Sequence, residues 1–185
     1  DHVVSTVTEH NSVLRPLEML RRAGRISYDL AGCDERGLVD PAAIEGLLRP
    51  ATRMVVVNHA SNVVGTIQPL DRIGALCRER DLLLLVDAAQ TAGQIPLRMD
   101  EWRIDLLAFT GHKGLHGPTG TGGLLVGPRA DVASTQWGGT GVRSAEIVHP
   151  QRYPFRLEAG TLNAAGLAGL AAALDHGRDA GETTA

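Results

Sequence analysis

Leu82-Leu83-Leu84-Leu85-Val86-Asp87-Ala88-Ala89-Gln90 is the stretch that decides the fold. Its successive apolar residues leave no polar face, so the run reads as a strand covered on both sides. It is short for a buried helix and far too short to cross a bilayer. Asp87 places a carboxylate where the chain leaves the sheet.

Runs of the same kind recur on either side, at residues 3–7, 26–30, 53–58, 104–109 and 123–126. Between them lie segments of helical character. Residues 12–22 repeat Val13, Leu14, Leu17 and Leu20 at helical spacing, and residues 69–80 place Ile73, Leu76 and Cys77 on one face. Residues 41–48 start with Pro41 at the first helical position and Asp40 as N-cap. Residues 130–158 are irregular and rich in Gly and Arg, and residues 164–176 form a helix of small side chains. Strands alternating with helices predict an α/β chain, a three-layer α/β/α arrangement on a mostly parallel sheet. Ligands of such sheets sit beyond the carboxyl ends of the strands. Polar clusters fall there: Glu9-His10, Asn58-His59-Ala60-Ser61-Asn62, Asp87 to Gln90, and Thr110-Gly111-His112-Lys113.

The 185 residues, 43% hydrophobic, suit one domain spanning 1–185. A formal charge of −3 with both signs dispersed gives no basic stripe for nucleic acid and no polybasic membrane segment. Cys33 and Cys77 lack metal-ligand spacing, and the histidines form no ligand pair, so no metal is expected. Two free thiols and no signal-like start point to a cytoplasmic protein. The chain opens in a strand-like run without a methionine, as a piece of a longer protein would.

Of the 18 basic residues, Lys113 is the one lysine. A GC-rich coding sequence alone accounts for the arginine bias. Yet Arg cannot form an imine, whereas a partly desolvated, neutral lysine amine attacks an aldehyde. Lys113 is therefore either an exposed surface lysine or a covalent anchor. Asp87 either caps the turn that follows or faces a cationic ligand atom, and Gln90 lies within one turn of it. His10 is a polar loop residue or a ring that stacks and exchanges protons. Asn62 either contacts ligand oxygens or stabilises the turn that Gly65 completes. The glycine-rich loop 111–123 suggests backbone amides cradling a phosphate, although it matches neither nucleotide-binding signature.

Taken together, Glu9-His10, Ser61-Asn62-Val63-Val64-Gly65-Thr66, Asp87-Ala88-Ala89-Gln90, Gly111-His112-Lys113 and Arg156-Leu157-Glu158-Ala159-Gly160-Thr161-Leu162-Asn163 closely resemble the cysteine desulfurase family. That family belongs to the class V aminotransferase group of fold-type I enzymes that use pyridoxal 5′-phosphate (PLP). The resemblance implies a large PLP-binding domain truncated at both ends, lacking an N-terminal segment and a C-terminal small domain. It implies Lys113 as Schiff-base lysine, Asp87 at the pyridine nitrogen, Gln90 and Asn62 near the phenolic oxygen, and His10 stacked on the ring. Thr110 and His112 would hold the phosphate, and Thr161 would reach the phosphate of a partner subunit in a homodimer.

The implied reaction converts L-cysteine to alanine. Lys113 takes the α-proton, and a protein thiolate accepts the sulfur as a persulfide for a sulfur-acceptor protein and iron–sulfur cluster assembly. In the family, the nucleophilic cysteine and the substrate-carboxylate arginine follow the Thr161 signature, beyond this chain. Cys33 and Cys77 match neither. The resemblance also leaves open selenocysteine lyase, another class V aminotransferase or epimerase, and a non-catalytic scaffold.

Overall fold

The computed structural model describes residues 1–179. Its strands are β1 (His2–Thr6), β2 (Ser27–Ala31), β3 (Thr52–Asn58), β4 (Leu83–Asp87), β5 (Leu106–Thr110) and β6 (Gly122–Val126). Its helices are α1 (Asn11–Arg22), α2 (Pro41–Glu45), α3 (Leu70–Glu79) and α4 (Ala164–Asp179), with one 3₁₀ turn at Phe155–Leu157. The six strands form a single sheet in the order β2-β1-β3-β4-β5-β6. Every neighbouring pair is parallel except β5 with β6. The α/β class and mostly parallel sheet expected from the sequence are thus present.

One face of the sheet carries the main core. Val55, Val57, Leu84, Val86 and Leu107 alternate along β3, β4 and β5 toward Ile44 of α2 and Leu70, Ile73 and Cys77 of α3. Burial pushes the Cys77 thiol up to about 12, so it is a packing group rather than a nucleophile. The opposite layer is thin. Val13, Pro16 and Leu17 of α1 border a groove floored by Met54, Val56, Leu85 and Ala108. Leu17 is the buried residue of α1, while Leu20, expected on its inner face, is exposed.

Two local features differ from the sequence reading. Helix α2 stops at Glu45, not at residue 48, because Gly46 is its C-cap. The amides of Leu47 and Leu48 then bond three residues back, to Ile44 and Glu45, which tightens the chain into turns. Helix α1 starts one residue early because His10, rather than a hydroxyl or carboxylate residue, is its N-cap. Asp40 does cap α2, accepting from the Ala42 amide at 3.0 Å.

The topology selects where a ligand goes. From the central β1 the chain moves outward to β2, then returns to add β3, β4 and β5 on the other side. The connections after β1 and β3 therefore diverge, and a crevice opens between them at the carboxyl edge.

Candidate active site

That crevice is a cleft of about 340 Å³ lined by His10, Ser12, Asn58, Ala60, Asn62, Asp87, Ala89, Gln90, Thr110, His112 and Lys113. Four strands contribute their ends to it. Seven of the eight residues singled out from sequence meet there: Lys113, His10, Asn62, Asp87, Gln90, Thr110 and His112. Thr161 does not; it is exposed, just before α4.

Asp87 ends β4 opposite Asn58 of β3. One carboxylate oxygen accepts from the Ala89 amide at 2.9 Å, so the turn-capping role is real. The other takes no protein hydrogen bond among the described residues, and the side chain still lines the cleft. The turn behind it is held by His59, which is buried, packs edge-on against Trp102 at 5.5 Å and pairs through Nδ1 with Thr91 Oγ at 2.9 Å. Burial lowers the His59 pKa, so the ring serves as a neutral brace.

His10 projects from the start of α1. Its Nδ1 accepts from the Ser12 amide at 3.2 Å and lies 2.8 Å from Ser12 Oγ. A ring nitrogen that accepts cannot carry the proton, so the hydrogen sits on Nε2. In the turn after β3, Ser61 does the structural work. Its hydroxyl accepts from Val63 and its carbonyl from Gly65, whose φ is +72°. Asn62 keeps its amide for the cleft.

Part of the glycine-rich loop has its amides engaged already. The amides of Gly111 and Gly117 bond to Thr121 and Gly111 carbonyls, so they are not anion donors. These glycines are needed for close packing: a Cβ on Gly111 would overlap the Thr121 hydroxyl, and one on Gly117 would crowd Leu170 of α4. Side chains supply the polar groups here, with Thr110 Oγ1 paired to His112 Nδ1 at 2.9 Å. Lys113 is exposed and lines the cleft.

Sequence reasoning placed Asn58 in a strand-end polar cluster without giving it a role, and passed over Ser12. Asn58 ends a strand as Asp87 does, and that shared position was the available signal. It also left Glu9 without a role, although Glu9 is buried beneath the His10 turn. Burial, with Asp87's charge adding to it, raises the Glu9 pKa to about 7 against the opposing hydrogen bonds from Asn58 and Thr6.

A strand-edge cleft with a lysine, a carboxylate, an imidazole and an amide is the donor set of a class of enzymes, and the chain belongs to one: the aminotransferase class-V family, whose model matches residues 1–185. Within it the chain is similar to cysteine desulfurases. It is 38% identical over 180 residues to a probable cysteine desulfurase of Methanothermobacter thermautotrophicus, covering 95% of this chain and 45% of that protein. It is 39% identical over 141 residues to the cysteine desulfurase IscS of Vibrio campbellii, covering 75% and 34%. Among solved structures, the Escherichia coli cysteine desulfurase CsdA superposes with a TM-score of 0.83 at 30% identity, over 97% of this chain and 46% of that one. SspA, solved in complex with cysteine, gives 0.82 at 28% identity, over 95% and 47%. The chain thus spans less than half the length of these relatives. Class V aminotransferases and cysteine desulfurases are PLP-dependent families.

The residues present fit that cofactor. A carboxylate suits a ring nitrogen, a primary amine suits an aldehyde, and a hydroxyl beside an imidazole suits a phosphate.

Proposed function

We propose that this chain is the PLP-holding core of a cysteine desulfurase that removes sulfur from L-cysteine to leave L-alanine. The observation that carries the reading is the meeting of Lys113, Asp87, Gln90, His10, Asn62, Thr110 and His112 from four strand ends around one cleft. The similarity to proteins named as cysteine desulfurases supports cysteine as the substrate.

Each side chain then has a task. Lys113 would be the covalent anchor, and its amine, when free, the base for the substrate's α-proton. Asp87 uses one oxygen to hold its turn and offers the other to keep a proton on the ring nitrogen. Gln90 and Asn62 offer amide donors. Thr110 and His112 hold the phosphate as a preformed pair. His10, its Nδ1 engaged by the Ser12 amide, would hold a proton on Nε2 at the cleft where the cofactor would sit. When bound, PLP supplies a ring that withdraws electrons from the substrate's Cα. Transfer of the sulfur needs a cysteine thiolate from the rest of the protein. A homodimer, a sulfur-acceptor protein and a cytoplasmic location complete the proposal. No helix of the described residues is long and apolar enough to cross a membrane.

The test is covalent trapping on the full-length protein. Incubation with PLP, borohydride reduction and peptide mass mapping should place the label on Lys113, and L-cysteine should yield alanine with a protein-bound persulfide. Label elsewhere, or none, rejects the reading; label without alanine rejects the substrate.

A further inference from the structure

Glu9 is 7% exposed, in the turn between β1 and α1, and among the described residues no cation pairs with it. Its Oε1 accepts from the Asn58 amide at 2.7 Å and lies 2.8 Å from Thr6 Oγ1, while Oε2 is buried without a partner. The contacts continue beyond Thr6. Thr6 Oγ1 is 2.9 Å from Thr8 Oγ1, and Thr8 Oγ1 is 3.0 Å from Asn58 Oδ1. The Asn58 amide cannot be reversed, because its Nδ2 donates to the Thr8 carbonyl at 2.8 Å.

Counting protons along this path gives the charge of Glu9. Glu9 to Thr6, Thr6 to Thr8 and Thr8 to Asn58 are successive oxygen–oxygen links, and each needs one hydrogen. The two threonine hydroxyls supply only two, since a hydroxyl donates once and the Asn58 carbonyl not at all. An ionised Glu9 leaves the Thr6–Thr8 link as facing lone pairs. A carboxylic acid completes it: Glu9 donates to Thr6, Thr6 to Thr8, and Thr8 to Asn58.

We propose that Glu9 is held as a neutral carboxylic acid and is the positioning residue of the site, fixing the turn that carries His10 against the end of β3. The proposal rests on the PLP reading for its consequence. With Glu9 uncharged, Asp87 carries the negative charge at this edge of the cleft, where a protonated ring nitrogen calls for it. Two neighbouring carboxylates resist ionising together: Asp87 accepts an amide hydrogen bond and reaches the open cleft, and its charge acts on the buried Glu9. Burial raises the Glu9 pKa even with Thr6 taken as donor to the carboxylate, and Asp87 is the one charged group that acts on it among the described residues.

The experiment uses the full-length protein, with and without PLP. Infrared difference spectra on protein labelled with ¹³C-carboxyl glutamate should show a carboxylic-acid C=O band at mildly acidic pH. The band should disappear as pH rises past neutrality and be missing in Glu9→Gln. Asp87→Asn should move its loss to higher acidity. Glu9→Gln, whose carbonyl can keep the Asn58 amide bond but cannot also donate to Thr6, should bind PLP more weakly than the wild type and more tightly than Glu9→Ala. Glu9→Ala, leaving the Asn58 amide without its acceptor, should bind about tenfold more weakly. Absence of the band at every pH at which the protein is folded overturns the proposal, as does a band that Glu9→Gln leaves unchanged. A wild-type protein that takes up no PLP overturns the proposed function instead, and the infrared band in that sample still decides the charge of Glu9.

Discussion

On the proposed function Asp87 divides two duties between two oxygens, and the amide isostere separates them. In Asp87→Asn the side-chain carbonyl still accepts from Ala89, so the turn and thermal stability should be retained. The charge is gone, so turnover of cysteine by the PLP-loaded protein should fall by roughly 100-fold or more, on the scale of about 3 kcal/mol of lost electrostatic stabilisation. A melting curve and a steady-state rate check the two halves independently. Glu9 gives a second prediction at this scale. Unfolded, its carboxyl loses the proton near 4.5; folded, near 7. Between those values the folded protein holds a proton that the unfolded chain has released. This contribution is therefore fully present below 4.5, is drawn down as pH rises to about 7, and is flat above that. The full span is on the order of 3 kcal/mol. Denaturant titrations across that range should show a slope toward lower stability that Glu9→Gln removes.

At the scale of elements, the packing of α3 depends on a residue with no side chain. A Cβ on Gly74 would overlap the backbone carbonyl of Trp102, because residues near Trp102 cross the helix at that point. Trp102 in turn meets His59, which braces the Asp87 turn through Thr91. Gly74→Ala should therefore cost about 1–3 kcal/mol of stability, read as a lower denaturation midpoint, despite the better helix propensity of Ala. The sequence announced such elements unevenly. Continuous apolar runs located the strands within two residues, and Asp40-Pro41 announced the start of α2, because those signals are local. The end of α2 at Gly46 was equally local and was outvoted by the apolar pattern of Leu47 and Leu48. His10 as an N-cap lies outside the residue types that usually signal a helix start. The path from Glu9 to Asn58 was not legible at all, since it exists only once β1 and β3 lie side by side. The strand-end residues of the site were legible because a parallel sheet sends all of its carboxyl ends to one edge.

For the whole molecule, the position of Thr161 is the question that reaches beyond one chain. Thr161 is exposed and lines no part of the cleft formed by its own residues. If it serves a phosphate, as its signature implies, the phosphate belongs to a second copy. In a symmetric dimer each site would then combine Lys113 of one subunit with Thr161 of the other. Two damaged proteins can distinguish this from a role within one chain. In a mixed dimer of Lys113→Ala and Thr161→Ala subunits, the site with an intact Lys113 receives its threonine from the Lys113→Ala subunit, so that site is whole. The other site carries both defects. In purified mixed dimers half of the sites should therefore be whole, about a quarter in the unseparated random mixture, above what the two variants give when assayed apart. Were Thr161 to act on its own chain's cleft, every intact Lys113 would share a subunit with Ala at position 161, and co-expression would yield only the average of the two variants. PLP content and alanine formation, measured on mixed dimers purified through two different tags, distinguish a shared site from a self-contained one.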